Sequence, residues 1–380
     1  MPATPTVTVI LVQTKEACFV VLISMFGEQL MMGELMKKIT LAFLTTALCF
    51  ASWCSRANAA TVAQWRFEDK NGLPAVAGDF LRSTPAPGGT VSGGNIVDVT
   101  SDSSGNGNEL RTFHSPNDPN NPDGAQRLET SPTYTLSTPA PVVLQTLEPN
   151  LLAFDYDAAP GSDPPAPPDA GGDDIYSRDQ ENADQPANSH VLNAFTIEAS
   201  FKIDTLGRFQ TIVNKDDDPN AAPGALSPFS LKVLNDNRLE AYAFDGTSDA
   251  SPADFRGVVS DAPLLANVWY NAAVTNDGTT MRLYIDDTSN GVGDYVLQSA
   301  ANTSVAGGAL VQSNAPWSIG RGWFNGPADF FDGQIDEVRI SDVVLAPSQF
   351  LFSPIPEPHS CLLALMALTS MAWRRPKRAQ

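Results

Sequence analysis

The side chains that most often carry nucleophilic or metal chemistry are scarce in this chain. Histidine occurs 3 times in 380 residues, and only His114 and His190 precede the C-terminal segment. No Gly-x-Ser-x-Gly pattern is present to hold an activated serine on a strained turn. No cysteine lies between Cys54 and Cys361, and a zinc site needs more histidine or cysteine than this. The central chain therefore favours neither nucleophilic catalysis nor zinc binding.

Aromatic side chains are better placed to hold a ligand, because sugar faces stack on rings that combine apolar area with a polar edge. The aromatic residues concerned are Tyr242, Tyr284, Trp317, Trp323 and Phe324. Trp317 is predicted to belong to the core. Gly322 and Gly326 flank Trp323 and Asn325 and make their loop conformationally free. Trp323 and Asn325 are therefore the candidate ligand-binding residues.

The chain is strongly acidic, with a formal net charge of −20 at pH 7. Such a charge repels nucleic acid and anionic lipid headgroups, so no nucleic-acid partner is expected. It suits solubility outside the cell, divalent-cation binding, or both, although solvated carboxylates alone account for it. The acidic run Asn214–Asn220 lacks EF-hand spacing and is interpreted as a solvated turn.

Residues 36–59 have the three parts of a secretory signal peptide. Basic Met36-Lys37-Lys38 precedes the apolar run 39–53, and Ala57-Asn58-Ala59 is a small-x-small cleavage site. Cleavage is expected after Ala59, which leaves an exported domain at 60–353. Residues 1–35 are interpreted as a mis-called start or a leader extension, with translation beginning at Met36.

The C-terminal segment 354–380 combines a short proline motif, an apolar run and a basic end. Pro356-Glu357-Pro358 precedes the run Cys361–Trp373, and Arg374–Arg378 follows it. A stable span needs about 20 apolar residues, so this shorter run suits a transient stop, with its cations on the cytoplasmic side. A buried C-terminal helix is the alternative, which the basic end disfavours.

This order of motif, apolar run and cations resembles the PEP-CTERM sorting signal of exported proteins in biofilm-forming Gram-negative bacteria. Pro356, Glu357 and Pro358 form the matching motif. The resemblance implies signal peptidase and an exosortase-type enzyme as export partners. It also implies a cell-surface or extracellular location, reached through transient membrane insertion of the C-terminal segment.

The part of the chain between these signals is built from strand-like segments. Apolar residues alternate with polar ones over 195–203, which is the period of a half-buried strand. Asn276–Thr279 has the composition of a hairpin turn, and the proline-rich stretch Pro160–Gly172 predicts an exposed loop. Many short strands separated by turns, without a helical period, predict an all-β sandwich or barrel.

Six segments carry a family resemblance: 62–69, 102–108, 195–201, 269–275, 281–286 and, most specifically, 331–340. In this order they resemble a laminin-G-like domain of the concanavalin A-like lectin and glucanase group. The resemblance covers 61–350 and implies a jelly roll of two antiparallel sheets. The stretch 68–190 is longer than this fold requires between its first core strands, so it is expected to hold a Pro/Gly/Asp-rich insertion, extra edge strands or a small lid.

The resemblance also implies a calcium site, because the metal in this group commonly joins the start of the domain to its last strand. The matching oxygen donors are Asp69, Asp102 and Asp336, with Asn106 as a weaker candidate. Calcium takes six to eight such oxygen ligands. The alternative is that 102–108 is a solvated turn and Asp336 a surface residue.

Glucanases of this group carry a Glu-x-Asp-x-x-Glu strand. The corresponding positions here are Gln334, Asp336 and Arg339, so both catalytic carboxylates that glycoside hydrolysis needs are missing. We therefore expect an exported, non-enzymatic binding or adhesion module that recognises glycan, such as an extracellular polysaccharide. Two alternatives stay open: a glycosidase or lyase with its catalytic set inside 68–190, and a structural biofilm-matrix protein without a ligand.

The signal peptide yields a direct prediction about the exported protein. N-terminal sequencing of material recovered from outside the cytoplasm should return Ala60 as the first residue, because the small side chains at 57 and 59 fit the cleavage site. A first residue before Met36 would contradict both the cleavage site and the assigned start.

Overall fold

The computed structural model describes residues 8–13, 18–23, 61–81, 83–84, 96–97, 99–111, 132–157, 175–177, 185–216, 227–243, 256–302, 315–323 and 327–355. The chain divides into two compact units, Met1–Ala59 and Ala60–Gln380. Residues 36–59 and 356–380, which carry the two targeting predictions, lie outside the described residues, as does the predicted loop 160–172. Within the described ranges, no helix has the length and apolar character that a membrane crossing requires.

Strands account for most of the regular structure. The first unit contains an antiparallel hairpin of β1 (Thr8–Gln13) and β2 (Cys18–Ile23). The described strands of the second unit are β3 (Thr61–Trp65), β4 (Asp69–Lys70), β5 (Leu73–Pro74), β6 (Ser83–Thr84), β7 (Ile96–Val97), β8 (Val99–Thr100), β9 (Leu110–Arg111), β10 (Thr133–Thr135), β11 (Val142–Val143), β12 (Glu148–Pro149), β13 (Ala153–Tyr156), β14 (Ile175–Tyr176), β15 (Phe195–Ile203), β16 (Gln210–Lys215), β17 (Phe229–Val233), β18 (Leu239–Ala243), β19 (Arg256–Val259), β20 (Trp269–Asn276), β21 (Thr280–Asp287), β22 (Val296–Asn302), β23 (Trp317–Ile319), β24 (Gly322–Trp323), β25 (Pro327–Ala328) and β26 (Gly333–Ser341). The described helical segments are α1 (Pro186–Ser189) and the 3-10 turns Thr288–Asn290 and Pro347–Gln349.

Two eight-stranded antiparallel sheets form the second unit. The first sheet has the order β10, β13, β26, β15, β20, β21, β22, and β3 also pairs with β26. The second sheet has the order β19, β18, β17, β16, β23, β14, β9, β8. The all-β prediction of a jelly-roll sandwich with two antiparallel sheets is confirmed. The long segment 68–190 contributes edge strands to both sheets.

The core lies between the two sheets and follows from the alternation along the longest strands. Phe195, Ile197 and Phe201 of β15 have no exposed surface and belong to one hydrophobic cluster. The ring of Phe201 lies 6.4 Å from that of Phe331. The predicted period-two strand over 195–203 is therefore present, and its apolar side faces the core.

The second sheet separates apolar from polar residues in the same way. Val213 and Leu231 pair across β16 and β17 and lie in the core. The next pair along these strands is Asn214 and Ser230. Because successive side chains of a strand point to opposite faces, this second row faces away from the core. The outer face of the second sheet is therefore polar.

A closing segment, residues 342–355, covers the outer face of the first sheet. Phe350 has no exposed surface, and its ring lies 5.4 Å from that of Tyr284 and 4.9 Å from that of Tyr295. Leu351 and Phe352 are also buried and pack against Val143. The closing segment therefore forms a second, smaller hydrophobic layer outside the sandwich.

A buried ion pair holds this closing segment in place. Arg339 of β26 donates from Nε to Glu198 Oε2 of β15 at 2.7 Å. The backbone N of Leu351 donates to the other carboxylate oxygen of Glu198 at 2.7 Å, and Arg339 Nη2 donates to the carbonyl of Gln349 at 2.9 Å. Both members of the pair therefore bind the closing segment as well as each other.

Phe350→Ala should lower the free energy of unfolding by about 3–5 kcal/mol, the usual loss when a buried phenylalanine leaves a cavity. Val344→Ala is the matched control, because Val344 lies in the same segment and is 42% exposed. The control should change stability by less than about 0.5 kcal/mol. Equal effects of the two changes in urea unfolding would contradict the packing of the closing segment.

Candidate functional site

Asp102, a predicted calcium ligand, is enclosed by hydrogen-bond donors of the protein. Its Oδ1 accepts from the backbone N of Gln64 and of Ser104, both at 2.9 Å. Its Oδ2 accepts from the backbone N and the Nδ2 of Asn108, both at 3.0 Å. Both carboxylate oxygens are therefore used to fix the turn 102–108 against β3.

Asp69 and Asn106 hold neighbouring parts of the same region. Asp69 accepts from the Ser101 hydroxyl at 2.6 Å, from the Ser101 backbone N at 3.0 Å and from the Gly72 backbone N at 2.9 Å. Asn106 donates from Nδ2 to the carbonyls of Thr61 and Val62 at 2.7 and 3.1 Å. Both side chains thus stabilise turns and strand β3.

Asp336, predicted as the fourth donor, lies in a different network and is fully buried rather than on the surface. Its Oδ2 accepts from Asn150 Nδ2 at 2.7 Å, and its Oδ1 has no hydrogen-bond partner among the described residues. Burial, with the adjacent Glu337, raises the pKa of Asp336 well above its ordinary value. Burial also raises the pKa of Glu337 to about 7, although Arg66 donates to it at 2.9 Å.

The structure therefore distributes the four predicted calcium ligands over two networks. Asp102 and Asn106 join β3 to the turn 102–108, and Asp69 joins β4 to Ser101, whereas Asp336 contacts Asn150. In the described ranges, no three His, Cys, Asp or Glu side chains are grouped to hold a metal ion. These donors do not converge on one site, and calcium binding stays a prediction of the resemblance.

The positions that match the glucanase strand have structural partners. Arg339 is paired with Glu198 beneath the closing segment, and Gln334 forms a side-chain hydrogen bond with Asp155. Burial raises the pKa of Glu198, and the attraction of Arg339 offsets part of that rise. These contacts stabilise the first sheet and leave it without an accessible pair of carboxylates at these positions.

The outer face of the second sheet carries another buried ion pair. Arg321 donates to both oxygens of Asp216, at 2.7 Å from Nη2 and 3.1 Å from Nη1. Asp216 also accepts from Asn214 Nδ2 at 3.0 Å and from Ser318 Oγ at 2.8 Å. The two side chains are only 2% and 4% exposed, so the pair is fixed in position.

Gly320 places Arg321 at the end of β23. Its φ of 88° lies in the left-handed region, and a Cβ at this position would lie 2.2 Å from the Tyr156 ring. Only glycine avoids both the strain and the clash. The chain thereby turns between the core residue Ile319 and Arg321.

Trp323 lies directly over this ion pair. Its ring centroid is 5.4 Å from the Arg321 guanidinium carbon, which is cation–π distance. Trp323 is half-buried and belongs to β24, which pairs with β25. The backbone at Trp323 is therefore held in a short hairpin rather than in the free loop that the sequence suggested. Asn325 lies outside the described residues.

A lysine and two aromatic rings continue this face. Lys232 Nζ lies 5.4 Å from the ring centroids of both Phe209 and Tyr242 and 3.8 Å from Glu240 Oε2. Ser227 links the two parts, because its hydroxyl bonds to the carbonyl of Trp323 and to the Tyr242 side chain. Burial raises the pKa of Tyr242, so its hydroxyl stays protonated.

We call this region the Trp323 surface; it comprises Phe209, Asn214, Asp216, Lys232, Glu240, Tyr242, Ser318, Arg321 and Trp323. Sequence reasoning missed most of it. Asp216 was interpreted as part of a solvated turn, which is wrong, because it is buried and paired with Arg321. The sequence around Asp216 gives no signal of this burial, because Val213 is the only apolar residue of the run 213–216.

The comparisons with known proteins agree with the fold. The family model described as the concanavalin A-like lectin/glucanases superfamily, Laminin_G_3, matches residues 178–349. This match supports a domain of that superfamily within residues 178–349, and the two antiparallel sheets are consistent with it. No curated protein matches the chain.

Several solved structures are similar at low identity. Domain 4 of AbnA, a GH43 extracellular arabinanase from Geobacillus stearothermophilus, in complex with arabinotriose, is 16% identical with a TM-score of 0.42, covering 77% of this chain and 96% of that one. The CBM40 of the Ruminococcus gnavus IT-sialidase, bound to α2,3-sialyllactose, is 14% identical with a TM-score of 0.36, covering 46% and 88%. A SAP-like pentraxin from Limulus polyphemus is 15% identical with a TM-score of 0.30, covering 42% and 68%.

The variant Asp336→Asn tests whether Asp336 acts as a buried acid without a metal or as a calcium ligand. Asp336 and Glu337 have higher pKa values in the folded protein than in the unfolded chain. Their contribution to the free energy of unfolding is therefore fully present below about pH 4, the unfolded pKa range of Asp and Glu. It is lost as the pH rises through their folded pKa values. In EDTA, the variant should therefore gain about 1–3 kcal/mol over wild type at pH 8, because asparagine removes a buried charge with an unpaired oxygen. At pH 5 the gain should be smaller.

The same pair of proteins tests calcium. A ligand bound only by the folded state stabilises it by mass action. If Asp336 binds calcium, wild type should melt higher with calcium than with EDTA, and the variant should lose that difference. Identical melting of wild type in both buffers would exclude calcium as a stabilising ligand.

Proposed function

We propose that this protein is an exported, non-enzymatic binding module of the cell surface or extracellular matrix that recognises glycan through the Trp323 surface. The observation that carries the proposal is the half-buried Trp323 ring backed by the Arg321–Asp216 pair. Sugars bind well to a rigid aromatic face bordered by a few fixed polar groups. The superfamily match over 178–349 includes every residue of this surface.

The geometry favours binding over catalysis. Hydrolysis of a glycosidic bond needs one protonated and one ionised carboxyl group on either side of it. On this surface Asp216 accepts two hydrogen bonds from Arg321, and Glu240 lies beside Lys232. Each carboxylate is thus held by a cation of the protein, and the two do not form a free pair of carboxyl groups for a glycosidic bond, although burial raises the pKa of Glu240.

Export and calcium complete the proposal. Export rests on the signal peptide at 36–59 and on the motif Pro356-Glu357-Pro358, which follows the folded closing segment within a few residues. Calcium is proposed on the family resemblance alone, as a stabilising ion rather than part of the glycan site. Neither assignment affects the argument for the Trp323 surface.

Trp323→Ala should weaken glycan binding by about 1–3 kcal/mol, the amount expected when one large side chain is no longer buried. Trp269→Ala is the matched control. Trp269 is also half-buried and also lies near a cation, with Lys202 Nζ 6.0 Å from its ring, but it belongs to the first sheet. Affinity is measured by calorimetry on a polysaccharide identified by an array, and stability by thermal melting.

The outcomes separate the candidate functions. Loss of binding in Trp323→Ala with affinity retained in the control supports the proposal. Equal losses in the two variants would place the site elsewhere. A wild-type protein that binds no polysaccharide would favour a structural matrix role, and one that shortens a bound polymer would show the enzymatic alternative.

A further inference from the structure

We infer that the glycan bound at the Trp323 surface is an uncharged polysaccharide rather than one carrying carboxylate or sulfate groups. This inference rests on the proposed function, since it specifies the chemical class of the same ligand. It is carried by the arrangement of charged side chains on and around the surface.

Each cation described at this surface has a carboxylate partner. Arg321 is bound by Asp216 at 2.7 Å, and Lys232 lies 3.8 Å from Glu240. At the edge of the surface, next to Phe209, Arg208 lies 3.2 Å from Asp332. Proteins recognise an anionic group by giving it the donors of an arginine or lysine. Here those donors face carboxylates of the protein itself.

Asp329 places a further carboxylate close to the same residues. Glu240 and Asp329 both act on the Tyr242 hydroxyl and, after burial, raise its pKa. Their charge is part of the formal −20 of the whole chain. An acidic polymer would meet this field at every repeat, and repulsion between charges is felt over about 10 Å at 0.1 M salt.

An uncharged sugar uses the same groups without separating them. Its hydroxyls donate to a carboxylate and accept from an ammonium group, so Lys232 and Glu240 can both bind sugar while they stay paired. The two side chains are 19% and 12% exposed, and the half-buried Trp323 offers its ring alongside. An anionic group at Lys232 would instead lie beside the Glu240 carboxylate and be repelled by it.

The experiment measures binding of the exported protein to two sets of polymers at 20 and 500 mM NaCl. The neutral set contains arabinan, xylan, galactomannan and mixed-linkage glucan, and the acidic set contains alginate, polygalacturonate and hyaluronan. We expect at least one neutral polymer to bind, with Kd changing less than about twofold between the two salt concentrations. We expect the acidic polymers to bind at least about tenfold more weakly.

Glu240→Gln tests the charge pairing directly. It keeps the side-chain size but leaves Lys232 without its carboxylate, so affinity for an acidic polymer should rise severalfold at 20 mM NaCl and fall again at 500 mM. The control is Glu148→Gln, which removes a 52% exposed carboxylate that pairs with Arg66. Glu148 lies in β12, outside the Trp323 surface, and its loss should leave the weak affinity for acidic polymers unchanged.

The results distinguish a failure of this inference about ligand charge from a failure of the proposed function, glycan recognition through the Trp323 surface. Tight, salt-sensitive binding of an acidic polymer that Trp323→Ala abolishes would overturn the inference and keep the proposed function. Binding of a neutral polymer that Trp323→Ala leaves unchanged would overturn both assignments to this surface. Absence of binding in both sets would overturn glycan recognition altogether.

Discussion

The pair formed by Glu198 and Arg339 is the interaction on which the arrangement of the sandwich depends. It lies at the contact between β15 and β26, the two long central strands of the first sheet, and both side chains also bind the backbone of the closing segment. Two charges removed from water cost several kcal/mol each unless they are paired and fully hydrogen-bonded. The closing segment supplies those remaining hydrogen bonds, so the pair is stable only when the segment is in place.

This constraint gives the two outer faces different uses. The outer face of the first sheet is covered by an apolar layer around Phe350. The buried polar side chains of this sheet form hydrogen bonds within the protein. The second sheet also contains a buried arginine–carboxylate pair, but Trp323 and Lys232 remain partly exposed beside it. The same pair of residue types therefore fastens a segment on one face and supports a partly exposed aromatic ring on the other. Both pairs are buried, and the two cases differ in what lies over the pair: the closing segment on the first sheet and the half-buried Trp323 ring on the second.

The sequence predicts the parts of the fold that depend on alternation and turn chemistry. The strand over 195–203 and the turn between β20 and β21 follow directly from residue type, and Gly278 in that turn has a φ of 87°. The class of fold follows from the same signals. These features are local, so the residues that specify them lie next to one another in the chain.

The candidate site depends on contacts that no local pattern contains. Asp216 and Arg321 are separated by 105 positions, and nothing in either neighbourhood indicates the other. A register shift between Thr211 and Val213 changes which residues of β16 face outward, so counting alone assigns the wrong face. Asp336 likewise looks like a surface carboxylate, because its burial depends on Asn150, far away in sequence. The sequence indicates Trp323 as a candidate because glycines lie on both sides of its loop. It does not indicate that Arg321 packs against the Trp323 ring.

The position of the last folded residues has a mechanical consequence. The closing segment, which ends with the last described residues, lies on the outer side of the first sheet, whereas the Trp323 surface lies on the outer side of the second. The inner faces of two packed sheets are about 10 Å apart. A polymer held at one side and an attachment at the other would thus pull across the interdigitated core. Such a force acts on many side-chain contacts at once instead of separating one strand at a time. The sandwich would therefore resist unfolding under this force until many core contacts break together.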